Sequence, residues 1–104
     1  MDFKNVIIMT DLDGTLLDDK KNISPRDMDS INEFCAKGGM FSIATGRGYS
    51  MAKPIADKLS LRIPAVIFNG SAVYDFTAEE FLWQCEVTQK AREYVKAVMD
   101  KFPD

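Results

Sequence analysis

The apolar run Val6-Ile7-Ile8-Met9 passes almost directly into Asp11-Leu12-Asp13-Gly14-Thr15, and this junction constrains the fold more than any other stretch of the chain. Four consecutive apolar residues leave no polar face, so the strand read over Phe3 to Met9 is expected to be a parallel strand covered on both sides. On an extended strand, residues two apart point to the same side with Cα atoms roughly 6.6 Å apart. Asp11 and Asp13 are therefore expected to stand together at the strand tip. Two carboxylates at the end of a covered strand are costly unless a cation or a reacting group sits between them.

The rest of the chain repeats the same alternation. Ser24 is placed to cap a helix that opens with Pro25, carries Asp27 in its first turn and ends at Gly38-Gly39. Met28, Ile31, Phe34 and Cys35 form its apolar face at helical spacing. Met40-Phe41-Ser42-Ile43-Ala44 reads as a second strand, closed by Thr45-Gly46-Arg47-Gly48, and a second helix follows from about Ser50 to Leu59. Pro54 is awkward inside it and tolerable only near the first turn. Ile63 to Phe68 is the third strand, ending at Asn69-Gly70. Strand, helix, strand, helix, strand is the pattern of a right-handed, parallel α/β core. After Gly70 the pattern changes: residues 72–76 and 81–87 read as an antiparallel hairpin around Thr77-Ala78-Glu79-Glu80. Thr88 then caps a helix with Ala91, Tyr94, Val95, Val98, Met99 and Phe102 along one stripe.

Several function classes are excluded early. The chain has 104 residues, a net charge of −3 and no run of Lys or Arg, which speaks against nucleic acid or an anionic membrane as partner. Apolar stretches are too short to span a bilayer, and no signal-peptide pattern precedes the first strand, so a cytoplasmic protein is expected. With no histidine, neither a Ser-His-Asp nor a Cys-His arrangement can be built. Cys35 and Cys85 stand alone and read as reduced, small apolar residues. Carboxylates, hydroxyls, amides and cations remain, and a carboxylate nucleophile fits that restriction.

Ligands of open parallel sheets bind at the carboxyl ends of the strands. All three strands end in suitable groups: Asp11 and Asp13, Thr45-Gly46-Arg47, and Asn69-Gly70. Asp11 could attack phosphorus. Asp13, with a raised pKa, could protonate the leaving oxygen and later activate water. Mg²⁺ would offset the repulsion between Asp11 and a phosphoryl group. Thr45 could donate its hydroxyl to a phosphate oxygen, assisted by the backbone N–H groups of Gly46 and Arg47, and Arg47 could hold an anionic substrate in a bidentate contact. Each has a plainer alternative: a solvated Asp-Gly turn, a strand-terminal Thr, a surface Arg, and an Asn-Gly turn at Asn69.

Asp11-Leu12-Asp13-Gly14-Thr15-Leu16-Leu17, Ile23-Ser24-Pro25, Ala44-Thr45-Gly46-Arg47 and Phe68-Asn69-Gly70-Ser71 together resemble the haloacid dehalogenase-like superfamily, in its Cof-type, subclass IIB phosphatase variant. The resemblance implies a Rossmann-like three-layer α/β sandwich, here incomplete. Residues 1–70 would form the first half of the core, and residues 71–104 the opening of an α/β cap. It implies Asp11 as nucleophile, Asp13 as general acid and base, and Thr45 as phosphate ligand. Mg²⁺ would be held by the Asp11 carboxylate and the Asp13 backbone carbonyl, and Leu16 to Asn22 would be a mobile flap. The substrate would be a small phosphorylated metabolite, a sugar phosphate by analogy. Family members continue to a third-motif Lys and a fourth-motif Asp pair, which have no counterpart here, so an N-terminal fragment with little activity of its own is expected. Val6 to Met9 would then have an exposed edge and uncovered faces, and copies could associate through that edge or through the cap helix. A phospho-acceptor module and a self-associating structural fragment stay open as non-enzymatic alternatives.

Overall fold

A computed structural model describes residues 2–103. The strands are β1 (Ile7–Thr10), β2 (Met40–Ile43), β3 (Ala65–Ile67), β4 (Ala72–Asp75) and β5 (Glu80–Gln84). The helices are α1 (Pro25–Ala36), α2 (Tyr49–Leu59) and α3 (Gln89–Lys101). β1 and β2 run parallel, with Ile7 opposite Met40 and Thr10 opposite Ile43. A further parallel bridge joins Ala44 to Val66, and the Thr45 N–H donates to the Val66 carbonyl at 2.9 Å. The first three strand ends are thereby brought side by side, as a parallel α/β core requires.

Local sequence accounts for most of these elements. Ser24 Oγ accepts the Asp27 N–H at 3.1 Å, and Pro25 opens α1. Thr88 Oγ1 caps α3 in the same way through the Ala91 N–H. α2 runs through Pro54, which sits well past the first turn, so its tolerance does not come from a terminal position. Buried Ala52, Ile55, Ala56 and Leu59 hold the helix against the sheet, and their packing outweighs the one lost helical hydrogen bond.

The core gathers Leu12, Ile31, Phe41, Ile43, Ala65, Ile67, Ala72 and Tyr74 between the sheet and the two helices. β1 has the uncovered faces expected of a fragment rather than those of a covered strand: Val6, Ile7, Ile8 and Met9 are 41–56 % exposed. Among the described residues β1 pairs only with β2, so its other edge and much of its surface are open. It is also shorter than expected, because Asn5 takes φ +86° and the Val6 N–H closes a turn onto the Phe3 carbonyl.

The antiparallel hairpin expected after Gly70 is present, turning around residues 76–79. A feature absent from the sequence pattern is that β4 pairs directly with β3, Ala65 opposite Tyr74 and Ile67 opposite Ala72. Ala72 and Tyr74 thus belong to the same core as the parallel strands. The apolar stripe of α3, with Tyr94, Val95, Val98, Met99 and Phe102, is exposed.

Candidate active site

The first strand end places its two carboxylates by a route other than strand alternation. β1 stops at Thr10, so Asp11 and Asp13 lie in a turn rather than on the strand. Leu12 between them is 0 % exposed and anchors the turn in the core. Its carbonyl accepts the N–H groups of both Thr15 and Leu17. The flanking carboxylates are consequently presented outward, and both are exposed.

Asp11 lines a pocket with Thr45, Gly46, Asn69 and Gly70, at the adjoining ends of β1, β2 and β3. One Asp11 carboxylate oxygen, Oδ1, accepts the Leu12 N–H at 2.7 Å, which fixes the side chain over the pocket. Thr45 is only 4 % exposed. Its Oγ1 accepts the Arg47 N–H at 3.1 Å, and a hydroxyl that accepts still has its own proton to donate. Among the described residues that proton has no acceptor. The Gly46 N–H is likewise unspent, whereas the Arg47 N–H, expected to help bind phosphate, is committed to Thr45.

Asn69 reaches the pocket through an uncommon backbone. Phe68, Asn69 and Gly70 all have positive φ, at +54°, +56° and +90°. The Phe68 N–H donates to the Arg47 carbonyl and the Asn69 N–H to the Thr45 carbonyl, so the left-handed turn lies on the Thr45–Gly48 loop. The loop's glycines make room for it: a Cβ on Gly46 would stand 2.7 Å from Asn69 Oδ1, and one on Gly48 2.6 Å from the Phe68 ring.

Asp13 and Arg47 do not line this pocket; they bind each other. Arg47 donates through Nε to Asp13 Oδ2 at 2.8 Å and through Nη2 to Oδ1 at 2.9 Å. Its third contact is to the Met51 carbonyl. Lys21 Nζ lies 3.0 Å from Asp13 Oδ1. The hydrogen bonds from Arg47, then from Lys21, hold the Asp13 carboxyl well below the usual carboxylate range. A raised pKa was expected, and the direction is reversed: two cations, rather than the neighbouring carboxylate, dominate its surroundings. Lys21 was missed entirely, since only its left-handed backbone, φ +64°, in the turn closed by Asp18 and Asn22 brings it back.

Mg²⁺ takes oxygen donors, commonly one or two carboxylates, and keeps several waters. Asp11 supplies such an oxygen at the pocket. No group of three or more His, Cys, Asp or Glu converges on a metal position among the described residues. This donor set suits a partly hydrated hard cation and not a closed protein cage. No helix among the described residues is long and apolar enough to cross a membrane.

A parallel α/β unit that presents a carboxylate and a buried hydroxyl with an unspent proton from adjacent strand ends has the groups needed to hold an anionic ligand. Comparison with known proteins places it further. The haloacid dehalogenase-like hydrolase family matches residues 8–103, and the chain belongs to that family. It is 36% identical over 76 residues to the pyridoxal phosphate phosphatase YbhA of Escherichia coli, covering 73% of this chain and 28% of that protein. It is 33% identical over 100 residues to the 5-amino-6-(5-phospho-D-ribitylamino)uracil phosphatase YitU of Bacillus subtilis, covering 96% and 36%. A haloacid dehalogenase-like hydrolase from Bacteroides thetaiotaomicron shares the fold, with a TM-score of 0.81, 23% identity and coverage of 94% and 38%. So does the subclass IIB sugar phosphatase BT4131, at a TM-score of 0.73, 22% identity and coverage of 93% and 38%. The chain thus spans only 28–36% of the length of these two phosphatase relatives.

Proposed function

We propose that the chain supplies the nucleophile half of a Mg²⁺-dependent phosphatase that acts on small phosphorylated metabolites, sugar phosphates in the first place, through an aspartyl-phosphate. The observation that carries this reading is the shared pocket of Asp11 and Thr45, in which a carboxylate faces a hydroxyl with an unspent proton. A receiver-type phospho-acceptor is less well supported, because a second carboxylate, Asp13, follows the same strand end and an antiparallel hairpin follows the third strand.

An Asp11 oxygen attacks phosphorus, the ester P–O bond breaks, and the leaving alkoxide takes a proton from Asp13. Water then attacks the aspartyl-phosphate, its proton passes to Asp13, and orthophosphate and free Asp11 result. Thr45, the Gly46 N–H and Asn69 hold the non-reacting oxygens. When bound, by the Asp11 carboxylate and the Asp13 carbonyl, Mg²⁺ offsets the negative charge gathered at the phosphoryl group. Asp13 paired with Arg47 and Lys21 is in its basic form, the one needed for the second step. Acting as acid requires those contacts to loosen, which frees Arg47 to meet the substrate.

Residues 1–70 form the core half in this reading and residues 71–104 begin the cap, with β4 and β5 tying one to the other. None of the residues lining the pocket is cationic, so charge building on the phosphoryl oxygens is poorly balanced and turnover by the 104-residue chain alone is slow. Incubation with acetyl phosphate and Mg²⁺, followed by borohydride trapping and peptide mass spectrometry, should find the label on Asp11 and none in Asp11→Asn. Label on Asp13, or on neither, refutes the assignment.

A further inference from the structure

Among the described residues, none of α3 is buried. Tyr94, Val95, Val98, Met99 and Phe102 are 56–66 % exposed along a single stripe. A helix of 13 residues that packs on nothing is marginal in water, because most helical stability in proteins comes from covering an apolar face. A contiguous exposed patch of this kind marks a contact site. We propose that the stripe is covered by the α3 of a second copy of this chain, running antiparallel about a two-fold axis between Lys96 and Ala97. Ala91 also borders the groove that holds Gly46, Phe68 and Thr88, so the pair seats a ring from the second copy beside that groove.

Spacing sets the register. An axis at that point puts Ala91 opposite Phe102, Tyr94 opposite Met99 and Val95 opposite Val98. The smallest apolar residue thus receives a phenylalanine ring, and a thioether lies against a tyrosine. A parallel pair would instead set Ala91 on Ala91 and Phe102 on Phe102, leaving a gap at one end and crowding at the other. Charge agrees with the antiparallel arrangement. A two-fold axis of this kind lays each flank of α3 on the same flank of the second copy. One flank carries Arg92, Lys96 and Asp100, which border a concavity with Val87, Val95 and Met99. The other carries Glu93 and Lys101. Across the axis, Arg92 lies within one residue's rise, about 1.5 Å, of the level of the second copy's Asp100. Glu93 lies as near the level of the second copy's Lys101. Each flank therefore closes with opposite charges facing. Lys96, nearest the axis, is held by its own Asp100 Oδ2 at 3.3 Å, which leaves Oδ1 for the second copy's Arg92. Two such stripes bury roughly 1,000 Å² in total, the low end for a specific contact, so the dimer is of micromolar strength.

The test is sedimentation equilibrium on the full 104-residue chain carrying Ile7→Lys, which removes the open edge of β1 as a second contact. This parent is expected to dimerise. Adding Arg92→Asp sets acid against acid across the axis, and adding Asp100→Arg instead sets cation against cation. Each variant alone should therefore dimerise about tenfold more weakly than the parent. Mixed in equal amounts, the two variants bring opposite charges together at both contacts, and the mixed dimer should be at least as tight as the parent's. Both substitutions lie on exposed positions, and mixing cannot rescue a misfolded chain, so recovery on mixing reports the contact itself. The pairing is overturned if either variant alone dimerises as tightly as the parent, or if the mixture is no tighter than the variants apart. A parent that stays monomeric into the hundreds of micromolar also overturns it, and leaves the stripe to another segment or another protein.

Discussion

Replacing Thr45 by Val keeps the shape of the side chain and removes its oxygen, separating the two jobs that this oxygen holds. The first is structural. Oγ1 accepts the Arg47 N–H at 3.1 Å, and Thr45 is buried, so valine leaves a backbone donor without a partner in a site largely closed to water. An unpaired buried donor costs about 1–3 kcal/mol. Arg47 is only half-buried, which puts the expected loss in the lower part of that range, about 1–2 kcal/mol. For a domain of this size each kcal/mol lowers Tm by about 4–8 °C. The second job is recognition: a hydroxyl donating to a charged phosphate oxygen contributes about 1.5–3 kcal/mol, so affinity for inorganic phosphate should fall about 10- to 100-fold. Thr45→Ser restores the oxygen and should recover both properties. Circular dichroism melts and phosphate titrations on the three proteins decide the matter. A Val variant that melts lower but binds phosphate as well as the wild type would refute Thr45 as a ligand. One that changes neither property would refute the hydrogen bond as well.

Gly46→Ala should change stability by less than about 1 kcal/mol, because the added Cβ meets the tip of a side chain and not backbone; the Asn69 amide must swing out, and unshifted Asn69 side-chain NH₂ signals would contradict this. Arg47→Met removes the main cause of the low Asp13 pKa. Because the folded carboxyl ionises below its unfolded counterpart, the ion pair stabilises above the ordinary aspartate pKa and is lost as pH falls through the lower folded value. Denaturant melts should therefore show the variant's deficit at pH 6 and show it vanishing only well below about pH 4; a deficit that disappears near neutral pH would point to another group. The open edge and exposed apolar residues of β1 should make the isolated chain associate as concentration rises. Static light scattering on Ile7→Lys should then show no species larger than a dimer over the same range, and an unchanged mass in the variant would place the further contact elsewhere.

Local features were legible where a few neighbouring residues settle the outcome. Ser24, Pro25 and Asp27 specify the start of α1, and the apolar stretches of β2, interrupted only by Ser42, and of β3 leave little choice but a covered strand. The three strand ends were legible for the same reason, as each motif is contiguous. What escaped the sequence depends on residues far apart. Arg47 finds Asp13 across 34 positions, and Lys21 reaches it only because a tight turn reverses the chain. Asp-Leu-Asp at a strand end reads as two carboxylates repelling each other, and nothing in the local pattern reveals that cations will fill the space around one of them. β4 lying against β3 was hidden because Ala72-Val73-Tyr74 is apolar throughout and reads the same whichever neighbour it joins. The reach of Asn69 over Gly46 depends on backbone angles that asparagine permits but does not demand.

The successive left-handed residues at 68 and 69 bear on how readily this protein can change what it recognises. A non-glycine residue in that conformation costs about 1–2 kcal/mol, so glycine at either place would steady the fold while erasing a side chain that lines the groove beside Gly46. Selection for robustness and selection for discrimination therefore pull in opposite directions at two adjacent codons. Relatives adapted to heat or to new metabolites should diverge here sooner than in the buried strands behind it.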